Sequence, residues 1–354
     1  MNKPAIVGSG QSSPRGSEPG RGASRRALIG AAGLLLAGPM TPATAATDLA
    51  ELHRDARREG RITLYSSQPP AINERLIVAF RTSYPGIDVD VLRLATGPLG
   101  RRFETEASAS ANVADVLQLA DPLLVASTVA KGWLATLGDL PAHEAFPAAF
   151  RSSYAATVRI DPHTLTINDQ NVPFDVTPRS WTDALDTRWK GRILCPDLRI
   201  SIMLINWAAL MIDTYGTDYL TRLAAQSIRW LPGQIQGSQL LGAGEADLLL
   251  PNQKQVTASF IESGAPLRDV VPGPYAGHEG VVAVPAKAPH PAGARLLANF
   301  IMSRPGAAVL NQDVSYSPLP DIPRTLPMPA DYKRLDAQRA IQRQAEILEL
   351  LKIR

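Results

Sequence analysis

Residues 60–100 read GRITLYSSQPPAINERLIVAFRTSYPGIDVDVLRLATGPLG. Ile62, Leu64 and Tyr65 form a short apolar run that residues 66–70 break. Ile72, Leu76, Ala79 and Phe80 then recur at helical spacing, and Ile87, Val89 and Val91 alternate with Asp88 and Asp90. The apolar period changes from 3.6 to 2, so the stretch spells strand, helix, strand and the start of a second helix. That is one parallel βαβ unit. The loop leaving its first strand, Ser66, Ser67 and Gln68, falls at the carboxyl edge of the sheet, where α/β proteins bind ligands.

Upstream, residues 48–59 predict a short charged helix over the first sheet. His53 on it has no second ligand-type residue at metal spacing. Further upstream, Ser24-Arg25-Arg26-Ala27-Leu28-Ile29 and an apolar run to Ala37 have the form of a twin-arginine export signal, with Ala43-Thr44-Ala45 as an A-x-A cleavage site. The run is too short and too rich in Gly and Ala to anchor in a bilayer. Removal of residues 1–45 takes away Lys3, Arg15, Arg21, Arg25, Arg26 and Glu18, which turns a net charge of +3 into −1. The basic balance therefore belongs to the leader, and the mature chain has no electrostatic case for nucleic acid. The destination is the periplasm, and about 300 remaining residues predict two domains. Cys195 is the only cysteine, so no internal disulfide forms; in the apolar strand Ile193-Leu194-Cys195 it reads as a small buried hydrophobe.

Downstream, Thr96-Gly97-Pro98 reads as a helix start with Pro at the first helical position. Val113 to Leu119 reads as a buried strand, and Asp121-Pro122 starts another helix. Polar turns ahead of helix amino termini suit anions; Thr96 and Asp121 also read as plain N-caps. Residues 154–172 are extended and interrupted at Asp161-Pro162, which suggests a crossover between domains. Ser180-Trp181-Thr182-Asp183 has the form of a capping box. A second α/β series follows: strand 192–195, the loop 196–201, a helix to Gly216, strand 228–231, a Gln-rich helix 234–241 and strand 246–250. Pro251-Asn252-Gln253 then turns into a helix. Residues 281–284 form a strand and 291–303 a helix, and Pro-rich residues 317–330 read as a surface excursion. The last segment reads as an amphipathic helix with Leu335, Ile341, Ile347, Leu348 and Leu351 inward. No G-x-S-x-G elbow, H-E-x-x-H pair or P-loop occurs, so no spacing supports catalysis.

EGRITLYSSQPPAINERLIVAFRTSYPGIDVDVLRLATGPLGRRFETEASA, ADVLQLADP, KGWLATL, SWTDALDTRWKGRILCPD, GAGEADLLL and APHPAGARLLANFIMSRPG, in this order, resemble the periplasmic solute-binding proteins of ABC importers, in the branch that includes ferric-iron-binding proteins. The resemblance implies a type II periplasmic binding protein fold, two α/β lobes joined by crossover strands. Residues 46–153 would begin lobe 1, 154–275 form lobe 2, 276–330 return to lobe 1 and 331–354 make a C-terminal helix. It implies a monomer that captures a small-molecule solute between its lobes for an inner-membrane ABC permease, with no cofactor, no nucleic-acid partner and no chemistry of its own. Ligand contacts would come from the βα turns: Ser66, Ser67, Gln68, Thr96, Gly97 and Asp121 on the first lobe, Arg199, Ser201, Asn252 and Gln253 on the second.

Ferric-binding members place adjacent tyrosines in the turn after the strand that corresponds to 246–250. This chain has Pro251-Asn252-Gln253-Lys254 there. His278 and Glu279 are adjacent, and neighbours on a strand point opposite ways, which disfavours joint ligation. The ligand set therefore predicts no protein-built metal site and favours a small polar or anionic solute, with the planar fork of Arg199 for a carboxylate or phosphate. A surface ion pair with Asp197 is the competing reading of Arg199. The alternative solute is ferric iron held together with a synergistic anion.

Overall fold

The computed structural model describes residues 48–334 and 336–353. The twin-arginine segment, its cleavage site and Leu335 lie outside the described residues. Helix α1 (Leu49–Glu59) is capped by Asp48, which accepts from the Ala50 N–H, and stopped by Gly60 at φ +77°, a left-handed position that suits glycine. Strand β1 (Arg61–Ser66), helix α2 (Pro70–Ser83) and strand β2 (Asp88–Arg93) follow. The two strands are parallel, with Ile62 opposite Val89, so the βαβ unit is present as read. Ile72, Leu76 and Phe80 bury the inner face of α2 in one core with Ile62 and Leu64, each full burial worth roughly 1.5–3 kcal/mol.

Helix α3 (Thr96–Ser108), strand β3 (Val116–Leu119), helix α4 (Pro122–Ala130) and the single turn α5 (Pro141–Glu144) continue the first lobe. β3 is shorter than the sequence predicts, because Val113 stands exposed ahead of it. α3 also starts differently. Ala95 is its N-cap, so Thr96 is the first helical residue and Pro98 the third, still within the turn whose N–H groups have no helical partner.

Strand β4 (Ala155–Asn168) is the long crossover, and Asp161-Pro162 does not interrupt it. Ile160 exchanges backbone hydrogen bonds with Tyr316. Pro162, two residues on, turns its donor-less nitrogen to the same side, past the bridge, so the strand runs through it. Pro162 also sits opposite Gly277, where a Cβ would come within 2.3 Å of the Asp161 carbonyl oxygen.

The second lobe opens with the 3₁₀ turn Trp181–Leu185, started by a capping box between Ser180 and Asp183. Strand β5 (Ile193–Pro196), helices α6 (Ile202–Tyr215) and α7 (Thr217–Ala224), strand β6 (Arg229–Leu231), helix α8 (Gln234–Gly242), strand β7 (Leu248–Gln253), helix α9 (Lys254–Glu262) and strand β8 (Leu267–Val270) complete it. Pro251, Asn252 and Gln253 are thus the end of a strand and not a turn; Asn252 and Gln253 pair with Thr164 and His163 of β4. Cys195 is buried in β5, and burial pushes its thiol up, away from the reactive thiolate.

Strand β9 (Gly277–Ala283) returns to the first lobe, antiparallel to both β3 and β4. Helix α10 (Pro291–Met302) packs against it, and helix α11 (Arg304–Asn311) packs against α2, α10 and β4. The Pro-rich excursion is partly internal, since Leu319 and Ile322 join the first-lobe core. Helix α12 (Ala337–Leu350) then packs on α6 and α7, placing Ala340, Ile347 and Leu351 in the second-lobe core. Ile341 is exposed, because one step along a helix from Ala340 turns the side chain about 100° away. The strands run β2-β1-β3-β9-β4-β7-β5-β6, with β8 paired to β4 off this path. No helix among the described residues is long and apolar enough to cross a membrane.

Candidate functional site

The carboxyl ends of β1, β2 and β3 and those of β5, β6 and β7 bracket the crossover strands β4 and β9. Helices α2, α3, α8 and α9 start there without a side-chain cap. Their first N–H groups and the positive ends of their dipoles are left open at the carboxyl edge of each sheet. Helices α4 and α6 are closed instead. The Asp121 carboxylate accepts from Leu123 and Leu124 N–H at 3.0 Å each, and the Ser201 hydroxyl from Met203 N–H at 3.3 Å. Burial pushes the Asp121 carboxyl up and those two N–H groups pull it back.

The two lobes approach each other at two of the turns. A Cβ on Gly97 would lie 3.9 Å from the carbonyl oxygen of Ile200 and 3.4 Å from Arg101 Nη1. Ser67, Thr96, Gly97, Ser201 and the exposed Ile200 are all partly accessible around this mouth. Arg93 at the end of β2 reaches inward, its Nε 3.4 Å from the Gln68 carbonyl oxygen.

Arg199 lies on the same loop as Ile200 and is gripped by Asp197, with Nε 3.0 Å from both carboxylate oxygens and Nη2 2.6 Å from Oδ2. That contact holds Asp197 below the usual carboxylate range. Ser66 is internal, donating to Asn73 Oδ1 at 2.7 Å and accepting from Gln68 N–H at 3.1 Å. It fixes the turn from beneath. Asn252 is buried, donating to Thr166 and Ser238 at 3.1 and 3.2 Å, and Gln253 donates to Gln234 at 3.2 Å. The hollows lined by Asp175, Arg179 and Trp189 and by His143, Arg151 and Ser153 lie outside this region.

Sequence reasoning missed a buried ion pair in the crossover. Arg159 and Asp161 of β4 pair through Nε and Oδ1, both fully enclosed; Arg159 Nη1 also donates to the Leu310 carbonyl at 2.6 Å. Gln255 of the second lobe donates to Asp161 Oδ2 at 2.8 Å, and Ser315 of the first lobe donates to Asp161 Oδ1. One carboxylate thus ties both lobes to the crossover. The only sequence signal was a pair of opposite charges two residues apart in an extended segment. His278 and Glu279 diverge: the His278 ring meets His163, whereas Glu279 accepts from Tyr332 at 3.1 Å and from Arg334 Nε at 3.0 Å. Among the described residues no three His, Cys, Asp or Glu side chains gather as a metal-ligating group.

Solved structures share this architecture. Iron-bound HitA from Pseudomonas aeruginosa is 21% identical, with a TM-score of 0.66 over 82% of this chain and 98% of that one. The substrate-binding protein of an ABC transporter from Agrobacterium tumefaciens is 16% identical, with a TM-score of 0.73 over 82% and 94%. AfuA from Actinobacillus pleuropneumoniae, with fructose-6-phosphate bound, is 19% identical, with a TM-score of 0.68 over 84% and 100%. The fold is therefore that of the type II periplasmic binding proteins. No curated protein matches in sequence. The family profile described as bacterial extracellular solute-binding protein matches residues 62–313, and on that match the chain belongs to this family, the solute-binding proteins of ABC transporters.

Proposed function

We propose that the protein is exported to the periplasm, closes its two lobes on a small anionic solute and hands it to an inner-membrane ABC permease. The observation that carries this reading is the meeting of the uncapped start of α3, at Thr96 and Gly97, with the loop that holds Ile200 and Arg199. Open N–H groups and a helix dipole stand there, with Arg101 Nη1 beside Gly97 and Arg93 and Arg199 on the flanking turns, which suits a phosphate or carboxylate. Ser67, Thr96, Gly97, Arg199 and Ser201 then line the mouth, while Gln68, Asn252 and Gln253 support it from below. Ser66 and Asp121 hold the turns that carry it. The solute relative with fructose-6-phosphate fits an anion of this kind. The reading takes the mature protein as a monomer, exported by the twin-arginine route, with no cofactor and no nucleic-acid partner.

A thermal-shift screen of mature protein against phosphate esters, phosphonates, carboxylates, polyamines and Fe(III)-citrate tests the reading. A ligand that binds only the folded state raises the melting temperature, so anionic esters should raise it by several degrees. No response to any anion overturns the proposal. The iron-bound relative HitA favours a second reading, ferric iron held with a synergistic anion. The amides of Asn252 and Gln253 are poor ligands for Fe(III), so the anion would have to supply the donors. Colour on addition of Fe(III)-citrate, without response to metal-free anions, selects it.

A further inference from the structure

Below the mouth lies a second polar group on one face of the crossover strands. Asp161 of β4 stands opposite His278 of β9, and Arg159 opposite Gly280, so these positions share a face. The His163 ring meets His278 edge to face, with centroids 5.0 Å apart. Gln68 enters from the turn after β1, and its Nε2 lies 3.4 Å from the point that a Cβ on Gly280 would occupy. Gln255 enters from the second lobe through its hydrogen bond to Asp161. A glycine at 280 leaves room for Gln68 to reach the strand.

The polar capacity of this group is unfilled. Gln68 Oε1, both ring nitrogens of His163, His278 Nε2, Gln255 Oε1 and the donor Arg159 Nη2 are enclosed and have no hydrogen-bond partner. Native interiors pair nearly all such atoms, and leaving them unpaired is costly. Charge in the patch is already balanced between Arg159 and Asp161. Burial pushes His278 down to about 3 and His163 well below the usual imidazole range, so both rings are neutral, each with one N–H and one bare nitrogen. A bare anion could fill the donors but not the amide oxygens and bare ring nitrogens, and an alkyl group would satisfy none of these atoms. A hydroxyl both donates and accepts.

We propose that Gln68, His163, His278 and Gln255 form a neutral inner subsite of the interlobe site that reads hydroxyl groups, so that the solute is a polyhydroxylated anion. The inference rests on the cleft reading above and adds the chemistry of the solute's uncharged part. Calorimetry on the mature protein with matched pairs tests it: glycerol 3-phosphate against propyl phosphate, glucose 6-phosphate against hexyl phosphate, gluconate against hexanoate. The hydroxylated member of at least one pair should bind tenfold or more tighter, and Gln68→Leu or His278→Phe should shrink that ratio to near one. Because a variant at the crossover can fail to fold, ¹⁵N-histidine spectra of the wild type give a second readout: the ring nitrogens of His163 and His278 should shift with the preferred polyol anion and stay still with inorganic phosphate. Equal affinity within every pair, or silent imidazoles on binding, overturns the neutral subsite and leaves the anion site standing. Absence of binding by inorganic phosphate and by every member of the panel overturns both.

Discussion

Arg159 and Asp161 on β4, and Asp197 and Arg199 on the loop after β5, are the same two residue types at the same spacing. Their side chains are 0% and 3% exposed in the first pair, and Arg199 and Asp197 are 48% and 21% exposed in the second. The first pair joins the crossover to Leu310, Ser315 and Gln255. The second holds one loop at the mouth of the cleft. Burial, which no spacing reveals, separates a pair that holds the lobes in register from one that dresses a surface.

Breaking the inner pair should have the largest effect. Arg159→Ala strands a buried carboxylate, and loss of about 3–5 kcal/mol of stability is expected by urea unfolding; Arg159→Leu combined with Asp161→Leu should recover much of it. A loss below about 1 kcal/mol for the single change would mean that water reaches the pair and that the two sites are alike.

Next in size is a pH effect beside the same pair. His278 is held neutral with its folded value at about 3, against about 6.5 unfolded. Its contribution is complete above about 6.5 and is lost as the pH falls towards 3, because the unfolded chain takes up the proton first. Between pH 6.5 and 5 this amounts to about 2 kcal/mol, and unfolding titrations of wild type against His278→Phe at the two pH values should show the wild type falling more steeply.

Asp121→Ala removes the cap of α4 and should cost about 1 kcal/mol, read as a lower unfolding midpoint, while Thr96→Ala, at an uncapped start, should leave the midpoint in place. The outer pair comes last. Arg199→Ala should not move the melting temperature measurably, since exposed pairs contribute little, yet it should weaken phosphate esters several-fold by calorimetry. Unchanged affinity would reduce Arg199 to a partner of Asp197 alone.

Much of the fold was legible because periodicity reports which face is buried. The change from helical to alternating spacing between Phe80 and Ile87 placed α2 and β2, and the Ser180 capping box and Gly216 marked boundaries that the structure keeps. Prolines misled. Pro162 and Pro251 read as breaks, whereas each sits inside a strand. The site was less legible, for two reasons. Asp121 and Arg199 have the right residue types, but their side chains are engaged by local partners. His163 meets His278, and Gln255 meets Asp161, only through the register of β4 with β9 and β7, and nothing in a single chain's spacing reports which strands become neighbours.

Helix α12 carries one further consequence. Its Ala340 and Ile347, with Leu351 just past its end, complete a hydrophobic interior whose other walls come from residues 165–250. The first lobe likewise waits for β9 and α10. The second-lobe interior therefore cannot close until this helix arrives, and removing residues 337–351 would open a core whose remaining walls come from residues 165–250.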